Sequence, residues 1–190
     1  MSALTSSAEI SQTRGLPWRR ILGWTLFAAA FGYTEAALVV YLRRLMGEGF
    51  GLDYRQIFAL KHLDFSSASV ADDMARHGFL TLERSREIAT LLLLAGAAFA
   101  GGRSGRERLA VFLYTFALWD ETYYLFLLPW TGFPRTLAST DLYFLVPWAW
   151  YGPVWFPVLV VMPLFIFAGL RLWPGDKKGA PHKAALPHKN

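Results

Sequence analysis

Two carboxyl side chains, Glu35 and Asp120, stand inside long apolar runs of this chain, and an Arg86-Glu87 pair sits at the edge of another. An ionisable group surrounded by apolar sequence is costly enough that it marks a functional position by default. Such a carboxyl pairs with a cation, accepts hydrogen bonds from Tyr, Trp or Thr, holds a proton, or binds a metal ion. Around Asp120 the string reads Trp119, Asp120, Glu121, Thr122, Tyr123, Tyr124. On a helix, Tyr123 and Tyr124 share the face of Asp120 at i+3 and i+4, whereas Glu121 turns about 100° away toward Tyr114, Leu125 and Leu128. Asp120 is therefore expected to face inward, and Glu121 to be protonated, at a subunit contact or in a second cavity. A further acid, Asp141, follows Ser139 and Thr140, and any of the three is suited to cap a short helix from Leu142.

These residues need a frame, and composition says which kind. With 54% hydrophobic and 17% charged residues, the chain is too apolar for an ordinary soluble domain of 190 residues. Four apolar segments, 21–42, 88–102, 109–130 and 154–173, predict an all-α bundle of four transmembrane helices. A span needs about 20 residues, and the second segment falls short of that length. Its end, AGAAFAGG, is a run of small residues that lets a neighbouring helix approach. Its shortness is expected to draw Arg86 and Glu87 below the outer interface. The first segment has a signal-peptide alternative, with Arg19 and Arg20 before it and Ala28 to Ala30 within it, but its apolar pattern runs on to Leu42.

Charge sets the orientation. With the N-terminus inside, the inner flanks carry eleven basic against three acidic residues, and the outer flanks eight against eight. That asymmetry predicts N-in and C-in topology in a bacterial inner membrane and argues against nucleic acid as a partner. Depth follows from a rise of about 1.5 Å per residue: Glu35 lies roughly 22 Å above the inner interface, Glu87 about 24 Å, Asp120 about 18 Å and Tyr124 about 24 Å. Three helices thus bring carboxyl groups to one layer, with Arg86 as the counterion.

Residues 1–18 and 175–190 read as polar, disordered tails around a membrane domain at 19–174. The outer loop 45–86 is expected to be helical, with an amphipathic segment at 56–63 and a second at 66–74. Pro147, Pro153 and Pro157 break the apolar run before the last helix, which suits an interfacial or re-entrant segment. There Tyr143, Trp148, Trp150, Tyr151 and Trp155 are expected to roof the acidic layer or to form an aromatic belt. Cysteine is absent and the four histidines all lie outside the spans, so disulfides, iron-sulfur clusters, haem, zinc and blue-copper chemistry find little support. No metal site is assigned. The two Pro-His-Lys triplets of the C-terminal tail read as solvated sequence.

Several strings together resemble one group of proteins. They are Glu35-Ala-Ala-Leu-Val-Val-Tyr-Leu-Arg43, Arg86-Glu87-Ile-Ala-Thr90, Trp119-Asp120 with Tyr123-Tyr124, and Asp141-Leu-Tyr-Phe-Leu-Val-Pro147 leading to Gly152-Pro153-Val154. In this order, over about residues 24 to 160, the chain resembles a group of uncharacterised bacterial four-helix integral membrane proteins. The resemblance implies the four-helix fold and no activity.

Three functions are compatible with these residues. The first is a non-enzymatic membrane subunit, an assembly factor, or a component that binds a lipid, quinone or pigment. There the polar network Glu35, Arg86, Glu87, Trp119, Asp120, Tyr123, Tyr124, Asp141 and Trp150 fixes helix register or holds a ligand. The second is a membrane enzyme using the carboxylates as an acid-base pair or a divalent-cation site. The third is proton or cation transport, which the clustering of acids toward one face favours less, since a path needs groups along its whole length. The expected partners are membrane lipid, other membrane-protein subunits and a lipid-like small molecule.

Overall fold

In this computed structural model the described residues are 17–49, 67–76 and 78–173. Residues 1–16 of the expected N-terminal tail, the whole C-terminal tail 175–190 and the 56–63 segment lie outside them, while Trp18, placed in the tail, opens the first helix. What is described is mostly helical. Helix α1 (Trp18–Gly49) is followed by α2 (Ser67–Arg76), α3 (Leu80–Gly101) and α4 (Gly105–Thr131). A hairpin of β1 (Thr140–Phe144) and β2 (Trp150–Pro153) precedes a wide turn, Pro157–Val161, which runs into α5 (Met162–Leu172). Among the described residues one helix, over Trp18–Leu42, is long and apolar enough to cross a membrane by itself, and the apolar helix Pro157–Leu172 is shorter.

Each boundary has a local cause. Ser104 caps α4 by accepting the Glu107 N–H at 3.2 Å, and Glu107 in turn accepts the Arg103 N–H at 2.9 Å, a variant of the capping box. At the other end, Pro129 has no N–H to continue the ladder, and Gly132 closes the helix in the left-handed conformation at φ 69°. Pro157 and Pro163 likewise interrupt the last helix. Its first turn widens so that the Met162 N–H reaches the Pro157 carbonyl, five residues back.

Two expectations are corrected. The second apolar segment belongs to a longer helix: α3 begins at Leu80 and runs through its charged residues, because Glu83 and Glu87 are buried and hydrogen-bonded within the protein. Apolarity in this segment marks the length of the outward face, and the helix is longer. The short helix expected from Leu142 is a strand. Thr140, Asp141 and Leu142 pair with Pro153, Gly152 and Tyr151, and the register slips before Phe144 meets Trp150. Tyr, Phe and Val favour extended backbone, and Pro147 disfavours helix in the residue before it. Tyr143, at the slip, donates its hydroxyl to the Pro153 carbonyl at 2.5 Å. Gly152 is needed opposite, because a Cβ there would lie 2.9 Å from the Tyr143 ring.

Helix α4 is the centre of the bundle. It packs against α1, α3 and α5, while α1 and α3 scarcely touch each other. Its buried side chains, from Ala110 through Leu127, fill the core with Leu94, Ala98 and Met162. Two glycines allow the approach. A Cβ at Gly32 would stand 2.7 Å from the Trp119 carbonyl, and one at Gly169 would stand 3.0 Å from that of Ala110.

At the end of the bundle where α3 meets α4, one arginine ties three elements. Arg20 of α1 donates to the Glu107 carboxylate of α4 and to the Gly101 carbonyl that ends α3, the latter at 2.7 Å. Burial pushes the Glu107 carboxyl up, but the Arg103 N–H, the Arg20 guanidinium and the charge of Arg103 outweigh it and hold the group below its ordinary value. A carboxyl depressed in the fold stabilises above its unfolded pKa and loses that contribution as pH falls through the folded value.

Glu107→Gln should therefore lower thermal stability at pH 7. The gap to the wild type should narrow as pH drops below about 4.5, the ordinary value of the group. Melting both proteins from pH 7 to pH 3 checks this, and a gap that widens on acidification would refute it. Gly32→Ala should cost about 1–3 kcal/mol by wedging α1 from α4, whereas Gly23→Ala, in open space, should be neutral or stabilising by roughly 0.5–1 kcal/mol. Equal melting temperatures for these two variants would show that the helices do not depend on close approach at Gly32.

Candidate functional site

Because α1 and α3 both lean on α4 and meet each other closely only near Trp24 and Gly101, a space is left between them further along, and β1 lines it. The result is a cavity of about 120 Å³. Helix α3 contributes its buried stripe Glu83, Glu87 and Thr90, spaced so that each lies one helical turn from the next. Glu35 comes from α1, Trp119, Asp120, Tyr123 and Tyr124 from α4, and Asp141 and Tyr143 from β1.

The Arg86 guanidinium spans the gap between helices. Its Nη1 donates to Glu35 Oε1 at 2.5 Å and its Nε to Glu83 Oε2 at 2.8 Å. One cation thus serves two carboxylates on different helices. Glu87, one residue on, has another partner: its two oxygens accept the N–H groups of Leu145 at 2.8 Å and Val146 at 3.1 Å. The backbone just after β1 is therefore hooked to α3. A second tie comes from α4, where the Tyr124 hydroxyl donates to Asp141 Oδ2 at 2.8 Å.

Two lining residues keep polar atoms with no partner among the described residues. The indole N–H of Trp119 is buried and donates to nothing, and Asp120 Oδ2 is buried without a donor. Asp120 and Asp141 lie close enough to act together on a neighbour. Burial and the charges of Asp141 and Asp120 push the Tyr143 hydroxyl up to about 12, so it remains a hydrogen-bond donor at physiological pH.

Glu35, Arg86, Glu87, Trp119, Asp120, Tyr123, Tyr124 and Asp141 all line this one cavity. Glu121 points elsewhere and is half-buried outside it. Trp150 is not in the lining: it is 46% exposed and stacks on Trp148 at 5.9 Å. The expected aromatic roof is likewise reduced to Tyr143, since Trp148, Tyr151 and Trp155 are exposed and outside the lining. The cause is the hairpin: β1 lies against the helices and β2 pairs with β1 alone, one strand further from the cavity.

Sequence reasoning missed Glu83 and Thr90, which it left among loop charges and span residues. The signal was present in the spacing of Glu83, Glu87, Thr90, Leu94 and Ala98, a continuous helical stripe that ignores polarity. Among the described residues no three His, Asp or Glu side chains converge as ligands for a metal ion. No family model, curated protein or solved structure matches this chain.

Removing Arg86 should leave Glu35 and Glu83 buried without a cation. Arg86→Leu is expected to destabilise by about 3–5 kcal/mol, and adding Glu35→Gln and Glu83→Gln should restore most of the loss. Denaturation of the single and triple variants in detergent measures this. A triple variant less stable than Arg86→Leu would refute the pairing.

Proposed function

We propose that this chain is a four-span protein of the bacterial inner membrane, N-in and C-in, whose cavity holds the polar end of a lipid-like small molecule in a non-enzymatic role as a binding or assembly subunit. The observation that carries this reading is an inverted distribution of polarity. Large apolar side chains on all four long elements point outward, among them Leu26, Leu38, Leu92, Phe99, Leu125 and Phe167, with Leu92 at 66% exposure. Glu35, Glu83, Glu87, Glu107 and Asp141 are buried. A soluble domain has the reverse, because exposed apolar surface on this scale drives association in water. In lipid the same surface is the expected one.

The resemblance to bacterial four-helix membrane proteins and the excess of basic residues on the inner flanks support the same topology. The wall residues support binding over catalysis. Glu35 and Glu83 are committed to Arg86, Glu87 to two backbone N–H groups, and Asp141 to Tyr124. These groups hold the cavity in shape. A proton path has little support here, since the acids gather at one end and the opposite end of α1 is closed by the Arg20 and Glu107 pair.

The chain has no cysteine, so single-cysteine labelling has no background. Gly105→Cys should react with an impermeant maleimide only after cells are opened, and Leu137→Cys should react in intact cells. The reverse pattern overturns the orientation. Purification in mild detergent followed by mass spectrometry should find an amphiphile or a membrane-protein partner retained with the chain, and a chain that always runs alone and empty overturns the binding role.

A further inference from the structure

Resting on that reading, the geometry points to an organic ammonium group as the part of the ligand that the cavity takes, with an oxygen acceptor a few atoms from the nitrogen. The lining carries five carboxyl groups, Glu35, Glu83, Glu87, Asp120 and Asp141, and one guanidinium, Arg86. Arg86 is shared by Glu35 and Glu83, and Glu87 is held by two neutral backbone N–H groups. Among the described residues, a cavity so built is short of positive charge.

A bare metal ion does not fit the deficit. Such ions gather several oxygens at once, and among the described residues no three acidic or histidine side chains converge. The space is also too large: about 120 Å³, where a water takes about 10–15 Å³ on this scale, is room for a group of several heavy atoms. The walls match a diffuse cation. Trp119, Tyr123, Tyr124 and Tyr143 present aromatic rings beside the carboxyl groups, and cation-π attraction combined with carboxylates is how proteins recognise alkylammonium groups.

The independent observation is Trp119. It is 6% exposed and lines the cavity, yet its indole N–H has no acceptor among the described residues. A buried donor left unmade costs free energy that a ligand oxygen would recover. Asp120 next to it has the complementary need, since its buried Oδ2 lacks a donor. A ligand bearing an ammonium and a nearby oxygen meets both. An aminoalkyl phosphate head on a lipid and a free amino alcohol share that chemistry.

The test uses the full chain, delipidated in detergent, with thermal shift and native mass spectrometry as readouts. The probes are phosphatidylethanolamine, phosphatidylglycerol and free phosphoethanolamine. Phosphatidylethanolamine should raise the melting temperature and bind at least tenfold tighter than phosphatidylglycerol. Asp120→Asn should reduce that preference at least fivefold while the empty protein melts no lower, because it removes a carboxylate whose Oδ2 has no donor among the described residues. Trp119→Phe should weaken binding severalfold, and Trp150→Phe, outside the cavity, should not. If phosphoethanolamine alone gives the full shift, the ammonium comes from a soluble molecule; if only the lipid does, it comes from a headgroup. Equal binding of phosphatidylglycerol, or an Asp120→Asn protein that keeps the preference, overturns the ammonium assignment. In that event a non-amine amphiphile retained through purification leaves the binding role standing, and an empty, solitary chain removes both.

Discussion

The arrangement depends on a single guanidinium that reaches between two helices where they stand apart. Arg86 of α3 crosses to Glu35 of α1 while keeping Glu83 of its own helix. Taking these groups out of water is expensive, and a buried ion pair is weak evidence for net stability. What the arrangement does supply is selectivity among packings. Any rotation of α1 or α3 that removes Glu35 from Arg86 leaves a charge unpaired, so one register is favoured over its neighbours. A long side chain also does what a leucine does not: it joins α1 to α3 across a space and leaves that space open.

The two ends of the bundle use the same residue type to different effect. Arg20 meets Glu107 and the end of α3 where small residues bring the helices close. Arg86 meets Glu35 where α3 stands off from α1, and the hairpin fills the opening. Its attachment is polar on both sides, through Glu87 to the backbone after β1 and through Tyr124 to Asp141. The cavity is therefore walled largely by groups that hold one another, while among the described residues the buried Trp119 N–H and Asp120 Oδ2 find no partner.

An apolar surround strengthens each of these contacts, because a hydrogen bond shielded from water has no solvent competitor. It also constrains the hairpin. Strand edges are not tolerated against lipid hydrocarbon, so in a membrane the β1–β2 pair belongs at the interface. The stacked Trp148 and Trp150 on its outer side are the kind of side chain that such a boundary favours.

Much of this was legible before any coordinates. The helical segments near 21–42, 109–130 and 154–173 follow from apolar run length, and the inward turn of Asp120 with Tyr123 and Tyr124 follows from a 3.6-residue period. The pairing of Arg86 with an acid follows from the cost of leaving either alone. These are local or chemical properties, and the chain carries them residue by residue. The true length of α3 and the place of Glu83 and Thr90 are legible only in the spacing of its stripe and not in hydropathy, because burial against neighbours lets a helix continue through charge that hydropathy reads as its end. The strand at Thr140–Phe144 and the outward position of Trp150 were hidden for another reason: strand pairing and the choice of inner strand are made by partners distant in sequence. Sequence by itself determined which residues were too costly to leave unpaired. Only the tertiary structure decided who their partners are, because a hydrogen bond is made between positions in space, and the gap between α1 and α3 exists in neither helix alone.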